Sequence, residues 1–185
     1  ARANILPLDR DAVGEPLHRG AVEAARRALA LDAGNAEALI ALALVQPAFG
    51  GHAEKIKFID EALEFAPNNP MVLGTAGVGM HMVGRNRDAT PFFRHCVEVD
   101  PFPYWVVASY AGCLILEGRK DEAIEIIERE YPRHADEANA WLMRWNIAGL
   151  AGRTDITSAM VAPDAVLPQG LSQHAAERLR RSLAM

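Results

Sequence analysis

The dipeptide Gly-Arg occurs at Gly84-Arg85, Gly118-Arg119 and Gly152-Arg153, at one constant interval, and Gly50 stands a single interval upstream of the first. Glycine has only about a 7% chance of falling at any one position, so four in one frame carry weight. A period of 34, with a glycine between two apolar stretches, marks an array of helix–turn–helix units. Each unit is too small to bury its own apolar face and stacks on the next. Half of the 185 residues are apolar, alanine is prominent and aromatics are only 6%. That composition favours closely packed helices over sheets.

The unit is clearest from Pro70 to Pro103. Leu73, Ala76, Gly77 and Met80 follow i, i+3, i+4, i+7 and give one apolar face on a first helix. Gly77 is the small residue that lets a partner helix approach. Gly84 ends the helix with positive φ. A second helix carries Ala89, Phe93 and Cys96 and stops at Asp100-Pro101, where proline cannot continue it.

These residues resemble the tetratricopeptide repeat (TPR). The family pattern W-x2-L-G-x2-Y, A-x3-F, P is matched as Leu73-x2-Ala76-Gly77-x2-Met80, then Ala89-x3-Phe93, then Pro101. One unit earlier the frame holds Leu39, Leu42, Ala43, Gly50, Ile59, Ala62 and Pro67, with Lys55 where a small residue is usual and Pro47 ending the first helix early. One unit later it holds Val107, Tyr110, Ala111, Leu114, Gly118, Ala123 and Ile127, with Glu130 where alanine is common and Pro132 early. The resemblance covers roughly residues 17–153. It implies an all-α fold, a right-handed α-α superhelix of antiparallel helix pairs (a TPR-like solenoid), in a single domain over 1–185.

The ends depart from the frame. Residues 20–32 read as the second helix of a preceding repeat, whereas 1–16, with Pro7, Gly14 and Pro16, read as an irregular extension with at most a short helix near Leu8 to Val13. Ala138 to Ala151 reads as a first helix with Trp141 at the bulky position, but Arg144 and Trp145 replace an apolar and a small residue. Large Trp145 argues against close approach of a standard partner helix. Pro163 curtails that partner, and a final helix over 169–184 carries Leu171, Ala175, Leu179 and Leu183. Arg178, Arg180 and Arg181 near its end suit the helix dipole. Residues 154–185 are expected to cap the array, with Met160 and Val161 covering its last groove, because terminal repeats need a specialised outer face.

In TPR proteins the concave surface is lined by fixed first-helix positions. Carried over, these positions imply a partner groove of Ile40, Leu44, Met71, Val78, His81, Met82, Trp105, Ile115, Asn139, Leu142 and Asn146, with small residues such as Gly74, Gly112 and Gly149 among them. Ile40, Leu44, Gly74 and Val78 stand where the chaperone-tail-binding subclass places its Lys, Arg and Asn clamp, so no such clamp is expected. An apolar groove suits an amphipathic helix or an extended apolar segment. The alternative is that these side chains pack against neighbouring helices, or that the C-terminal helix fills the groove.

Little in the chain points to chemistry. The formal net charge of −5 is too mild to imply a nucleic-acid surface. Cys96 and Cys113 show no zinc spacing and read as buried reduced thiols. His81 and His95 should point apart, so no metal is expected, and no cofactor is implied. Glycines 74, 77 and 79 lack the strand and Lys-Ser/Thr of a phosphate loop and read as packing positions. Glu122, Glu125, Glu128 and Arg129 read as a solvated face with Glu125 and Arg129 paired at i, i+4. No nucleophile–base grouping is visible. No apolar run reaches a membrane span of roughly 18 residues. The expected function is a non-catalytic, cytoplasmic protein-interaction scaffold that binds a protein or peptide, with homodimerisation open. The second reading is a regulatory or sensor domain at the C-terminus of a larger bacterial signalling protein. Residues 61–70 with Val72-Leu73-Gly74 are similar to arrays in bacterial transcription regulators and adenylate cyclases, and a first residue of Ala1 rather than Met fits an excised piece.

Overall fold

The computed structural model describes residues 10–47, 50–101 and 103–183. Ten α-helices follow in chain order: α1 (Arg10–Leu31), α2 (Ala36–Leu44), α3 (His52–Phe65), α4 (Pro70–Met82), α5 (Asn86–Val99), α6 (Tyr104–Leu116), α7 (Lys120–Glu130), α8 (Ala138–Ala151), α9 (Thr154–Met160) and α10 (Gln173–Leu183). A 3-10 turn covers Tyr131–His134, and an isolated bridge joins Glu137 to Gln169. Among the described residues every regular element is helical, and no helix is long and apolar enough to cross a membrane. The chain divides into two compact units, Ala1–Gly79 and Met80–Met185, with the division inside α4, where sequence predicts a single domain. Each unit is described by itself.

The repeat frame is visible in what is buried. Leu39, Leu73, Val107 and Trp141, which hold the same place in successive repeats, are all buried, as are Ile59, Phe93 and Ile127. Ala62 and Cys96 follow the same rule, and Glu130 takes the next place in that series. Its carboxylate is held by Arg129 Nε at 2.8 Å and by Arg133 Nη1. A buried charge is tolerable only when paired in this way. Arg129 thus serves Glu130, rather than the expected Glu125.

All four glycines of the ladder adopt the left-handed conformation, with φ of +81° at Gly50, +78° at Gly84, +83° at Gly118 and +81° at Gly152. At each Gly-Arg rung the same two backbone bonds close the helix. Gly84 N–H donates to His81 C=O and Arg85 N–H to Met80 C=O, at 2.9 and 3.0 Å. Gly118 and Arg119 repeat this on Ile115 and Leu114, and Gly152 and Arg153 on Gly149 and Ala148. These are the paired bonds of a Schellman closure, which needs a residue free to take positive φ. The arginine has a second task. It caps the start of the next helix, and its guanidinium reaches an acid in that helix's first turn: Arg85 to Asp88 at 2.7 Å, Arg119 to Glu122 at 2.7 Å and Arg153 to Asp155 at 2.6 Å. The acids also suit the positive end of the helix dipole.

A methyl group at Gly118 would meet no atom within 4 Å, so the cost of Gly118→Ala is that of the backbone alone. Urea denaturation is expected to show a loss of about 1–2 kcal/mol, and a smaller loss for Gly118→Asn, because asparagine visits this conformation more readily. Equal stability of both variants and the wild type would contradict the turn geometry. The last rung of the ladder also makes stability depend on pH. Two donors from Arg153 hold the Asp155 carboxyl down to about 2 from 3.8. A folded-state pKa below the unfolded one gives stability that is present above about pH 4 and lost as pH falls towards 2. The thermal midpoint of Asp155→Asn is therefore expected to fall less between pH 5 and pH 2 than that of the wild type. Identical pH profiles would count against the pairing.

In the first unit α1 is a single helix from Arg10 to Leu31. The expected irregular extension 1–16 is thus corrected from residue 10 onward, while Leu8 lies outside the described residues. The helix runs through Gly14 and Pro16 and packs on α2. Tertiary packing of a long helix outweighs the local cost of one glycine and one proline. α2 stops at Leu44 after nine residues, against 13 in α4 and α6, as Pro47 predicts. Asn35 caps its start, its Oδ1 accepting from Ala38 N–H at 2.9 Å. Gly74, Gly77 and Gly79 lie buried within α4.

In the second unit α7 ends at Glu130, just before Pro132. α9 has only seven residues. Trp141, Met160 and Val161 form a buried cluster against which Trp145, Ile156, Leu167, Leu171 and Leu179 pack. Arg180 donates to the carbonyl oxygens of Val161 and Ala162, so this cation serves the C-terminal end of α9 rather than its own helix.

Candidate partner-binding surface

The candidate groove residues divide between the units. In the first, Ile40 is fully buried at 0% exposure and leaves the candidate surface, a correction to its expected place there. Gly74 is buried as well. Leu44 and Met71 are exposed and Val78 is half-buried.

In the second unit the candidates gather on α6 and α8, which pack against each other. On α6, Trp105, Ala108, Gly112, Ile115 and Leu116 share one face, because these spacings keep to one side of a helix. On α8, Asn139, Leu142, Asn146, Gly149 and Leu150 do the same. Trp105 is 44% exposed, Leu142 37%, Leu116 63% and Leu150 64%. Ile115 is half-buried, and Asn139 and Asn146 are exposed. Met82, at the end of α4, is 59% exposed. A methyl group at Gly112 or Gly149 would meet no atom within 4 Å, so the surface beside Trp105 and Leu142 is unfilled. Gly79 differs: a methyl there would stand 3.3 Å from Ile59 Cδ1. None of the ten residues on the α6 and α8 faces is ionisable.

Their neighbours are tied elsewhere. His81 Nδ1 lies 2.7 Å from Asn86 Oδ1 and 3.5 Å from Cys113 Sγ, so its ring is engaged within the turn that Gly84 makes. Burial pushes the Cys113 thiol up to about 11, which keeps it protonated and unreactive. Neither cysteine forms a disulfide. α10 docks on the Trp141 cluster and leaves Trp105 and Leu142 open.

Arg144 departs from the apolar repeat pattern, and the structure supplies the reason. Its guanidinium pairs with Glu128 through bonds of 2.8 and 2.7 Å and lies 4.5 Å from the centroid of the Tyr131 ring. Glu128, expected in a solvated face, is thus the partner that fixes α8 to α7. Burial raises the Tyr104 hydroxyl above its ordinary pKa; that oxygen has no hydrogen-bond partner among the described residues. Nothing but the separation of two opposite charges signals the Glu128–Arg144 pair in the sequence, too little to select it.

Each unit also carries a cleft. One of about 450 Å³ in the first unit is lined by Arg26, Leu42, Glu54 and Phe58, among others. One of about 270 Å³ in the second has Arg94, Tyr110, Glu122 and Ile126 at the equivalent positions two repeats on. Their match in the repeat frame makes them products of the stacking rather than a site specific to one place.

No family model and no curated protein matches the sequence. Solved structures do. MamA is 15% identical, with a TM-score of 0.64, covering 92% of this chain and 93% of its own. YrrB, described as a TPR protein with an unusual peptide-binding site, is 17% identical with a TM-score of 0.63, covering 91% and 86%. PilW, described as a widely conserved type IV pilus biogenesis factor, is 18% identical with a TM-score of 0.66, covering 78% and 67%. The chain is an all-α helix-pair repeat protein. Its fold is that of the tetratricopeptide repeat.

Proposed function

We propose that this chain is a non-catalytic interaction module that holds a segment of a partner protein on the α6–α8 face. The observation that carries the reading is the exposure of Trp105 and Leu142 beside the unfilled positions Gly112 and Gly149. Exposed tryptophan and leucine around a shallow uncharged depression are the elements of a binding hot spot. An anionic or cationic segment would lose hydration there without gaining a counter-charge, so the partner contributes an uncharged apolar stretch. YrrB, with its peptide-binding site, offers a precedent on the same fold. Affinity purification from the native cell tests this. The wild type is expected to retain a partner that Trp105→Ala and Met82→Glu lose, and unchanged recovery with both variants would sink the reading. Sedimentation velocity on the same samples shows whether the retained partner is a second copy of this chain.

A further inference from the structure

We infer that the groove closed by α10 is a second binding site, for an amphipathic helix of a partner protein, and that α10 is its replaceable internal occupant. The repeat frame accounts for the groove. The second helices α3, α5 and α7 have 14, 14 and 11 residues, whereas α9 has seven. The apolar surface that α9 is too short to cover falls to the segment that follows it. Trp141, Met160 and Val161 form the buried core of the groove, and Leu171 and Leu179 pack on it. Ala175, half-buried, stands between these leucines at i, i+4, i+8, on one side of the helix. Next in line, Arg180 donates to the carbonyl oxygens of Val161 and Ala162, the latter at 3.1 Å. α10 is thus a template for what the groove takes: a helix with an apolar i, i+4, i+8 stripe followed by an arginine.

α10 fills this place thinly. Among the described side chains of the helix, Leu179 is the one large apolar group against the core, and it is half-buried. The chain before the helix is anchored separately: Leu167 packs on the core, Pro168 is buried and Gln169 bridges to Glu137. Gly170, with φ of +92°, then turns the chain into α10. The helix can leave while the segment up to Gln169 stays. α10 also leaves a donor unmet. Trp145 packs on the same core, and its Nε1 is buried without a hydrogen-bond partner among the described residues. A buried donor left unpaired weakens the packing around it. The α10 of a second copy would leave the same donor unmet and lacks the high effective concentration of the tethered helix. The helix that displaces α10 is therefore a different one. It keeps the stripe and the arginine and adds a side-chain amide or carboxylate oxygen that accepts from Trp145.

Fluorescence anisotropy of labelled peptides on the full chain tests this, with circular dichroism to show that each variant folds. One probe is a peptide of residues 169–185. The other carries Ala175→Gln, whose amide extends from the middle of the stripe. Both are expected to bind, the glutamine peptide about 5-fold more tightly, and this advantage should vanish on Trp145→Phe. Arg180→Ala in the chain loosens the tethered helix and leaves the groove intact, so both peptides should bind it about 10-fold more tightly than the wild type. Hydrogen exchange on the wild type needs no variant: the glutamine peptide is expected to speed exchange of the α10 amides and leave those of α8 unchanged. Equal affinity for the wild type and Arg180→Ala, or α10 amides unmoved by a bound peptide, would show a permanently closed cap and overturn the proposal. A glutamine advantage that survives Trp145→Phe would overturn the assignment of the acceptor. Concentration-dependent dimers of the wild type, abolished by Leu179→Ser, would make a second copy the occupant and overturn the partner helix.

Discussion

Trp141→Ala is expected to destabilise the protein by about 3–5 kcal/mol, the largest effect of any single substitution in the C-terminal third. The side chain is 2% exposed and forms the centre on which Met160, Val161, Leu171 and Leu179 meet. Because α9 has only seven residues, it lacks the length to hold the last groove closed by itself. Deleting the indole leaves a cavity bordered by short, late elements with few other contacts, against a total stability of about 5–15 kcal/mol for a domain. Urea denaturation measures the loss, and limited proteolysis should show earlier cleavage after Arg178, Arg180 and Arg181. Trp145→Phe is the control. Its indole N–H is buried with no hydrogen-bond partner among the described residues, so the substitution removes no bond and is expected to change stability by less than about 1 kcal/mol. Equal losses for the two variants would contradict the assignment of Trp141 as the keystone of the cap.

Trp105→Ala is expected to do the reverse: less to stability and more to binding. The side chain is 44% exposed against 2% for Trp141, so its removal forfeits less burial, and the unfolding free energy from urea denaturation should fall by about 1–2 kcal/mol. Binding of the partner segment is expected to weaken about 30-fold, the equivalent of a hot-spot contribution of about 2 kcal/mol. Leu142→Ala should follow with a smaller loss. Gly112→Leu fills an open position and is expected to block the segment while the fold survives, because nothing of the protein stands within 4 Å of the added Cβ. A variant that binds normally with Gly112→Leu in place would show that the partner sits elsewhere.

The glycine ladder made the fold legible from sequence, because one residue type and one period encode both a turn and its backbone conformation. The four positive φ values are the structural form of that period. The arginines of the ladder were visible but unexplained, since their task depends on an acid two or three residues further on in three different local sequences. Other features resisted reading for physical reasons. Pro16 and Gly14 look like breakers locally, yet α1 runs through both and is anchored further along by Val22, Ala25, Ala28 and Leu29 against Ala38 and Leu42. Ile40 occupies a position that faces a groove in the repeat pattern, yet it is buried, because position within a repeat fixes direction and not what stands opposite. Arg144 departed from an apolar pattern, and its partners Glu128 and Tyr131 come from the preceding helix and turn, contacts no periodicity encodes. Trp105, Leu142, Asn139 and Asn146 were legible as a face because they share a helical stripe; their exposure was not, since it depends on where α10 docks.

Site-specific photocrosslinking shows whether the partner sits on the α6–α8 face. A benzophenone amino acid placed at Trp105 or at Leu142 is expected to crosslink the partner in the native cell. The same group at Glu125, exposed on α7, is expected to give none. Crosslinking from Glu125 with none from Trp105 or Leu142 would place the partner on the opposite side of the helix pairs and contradict the account.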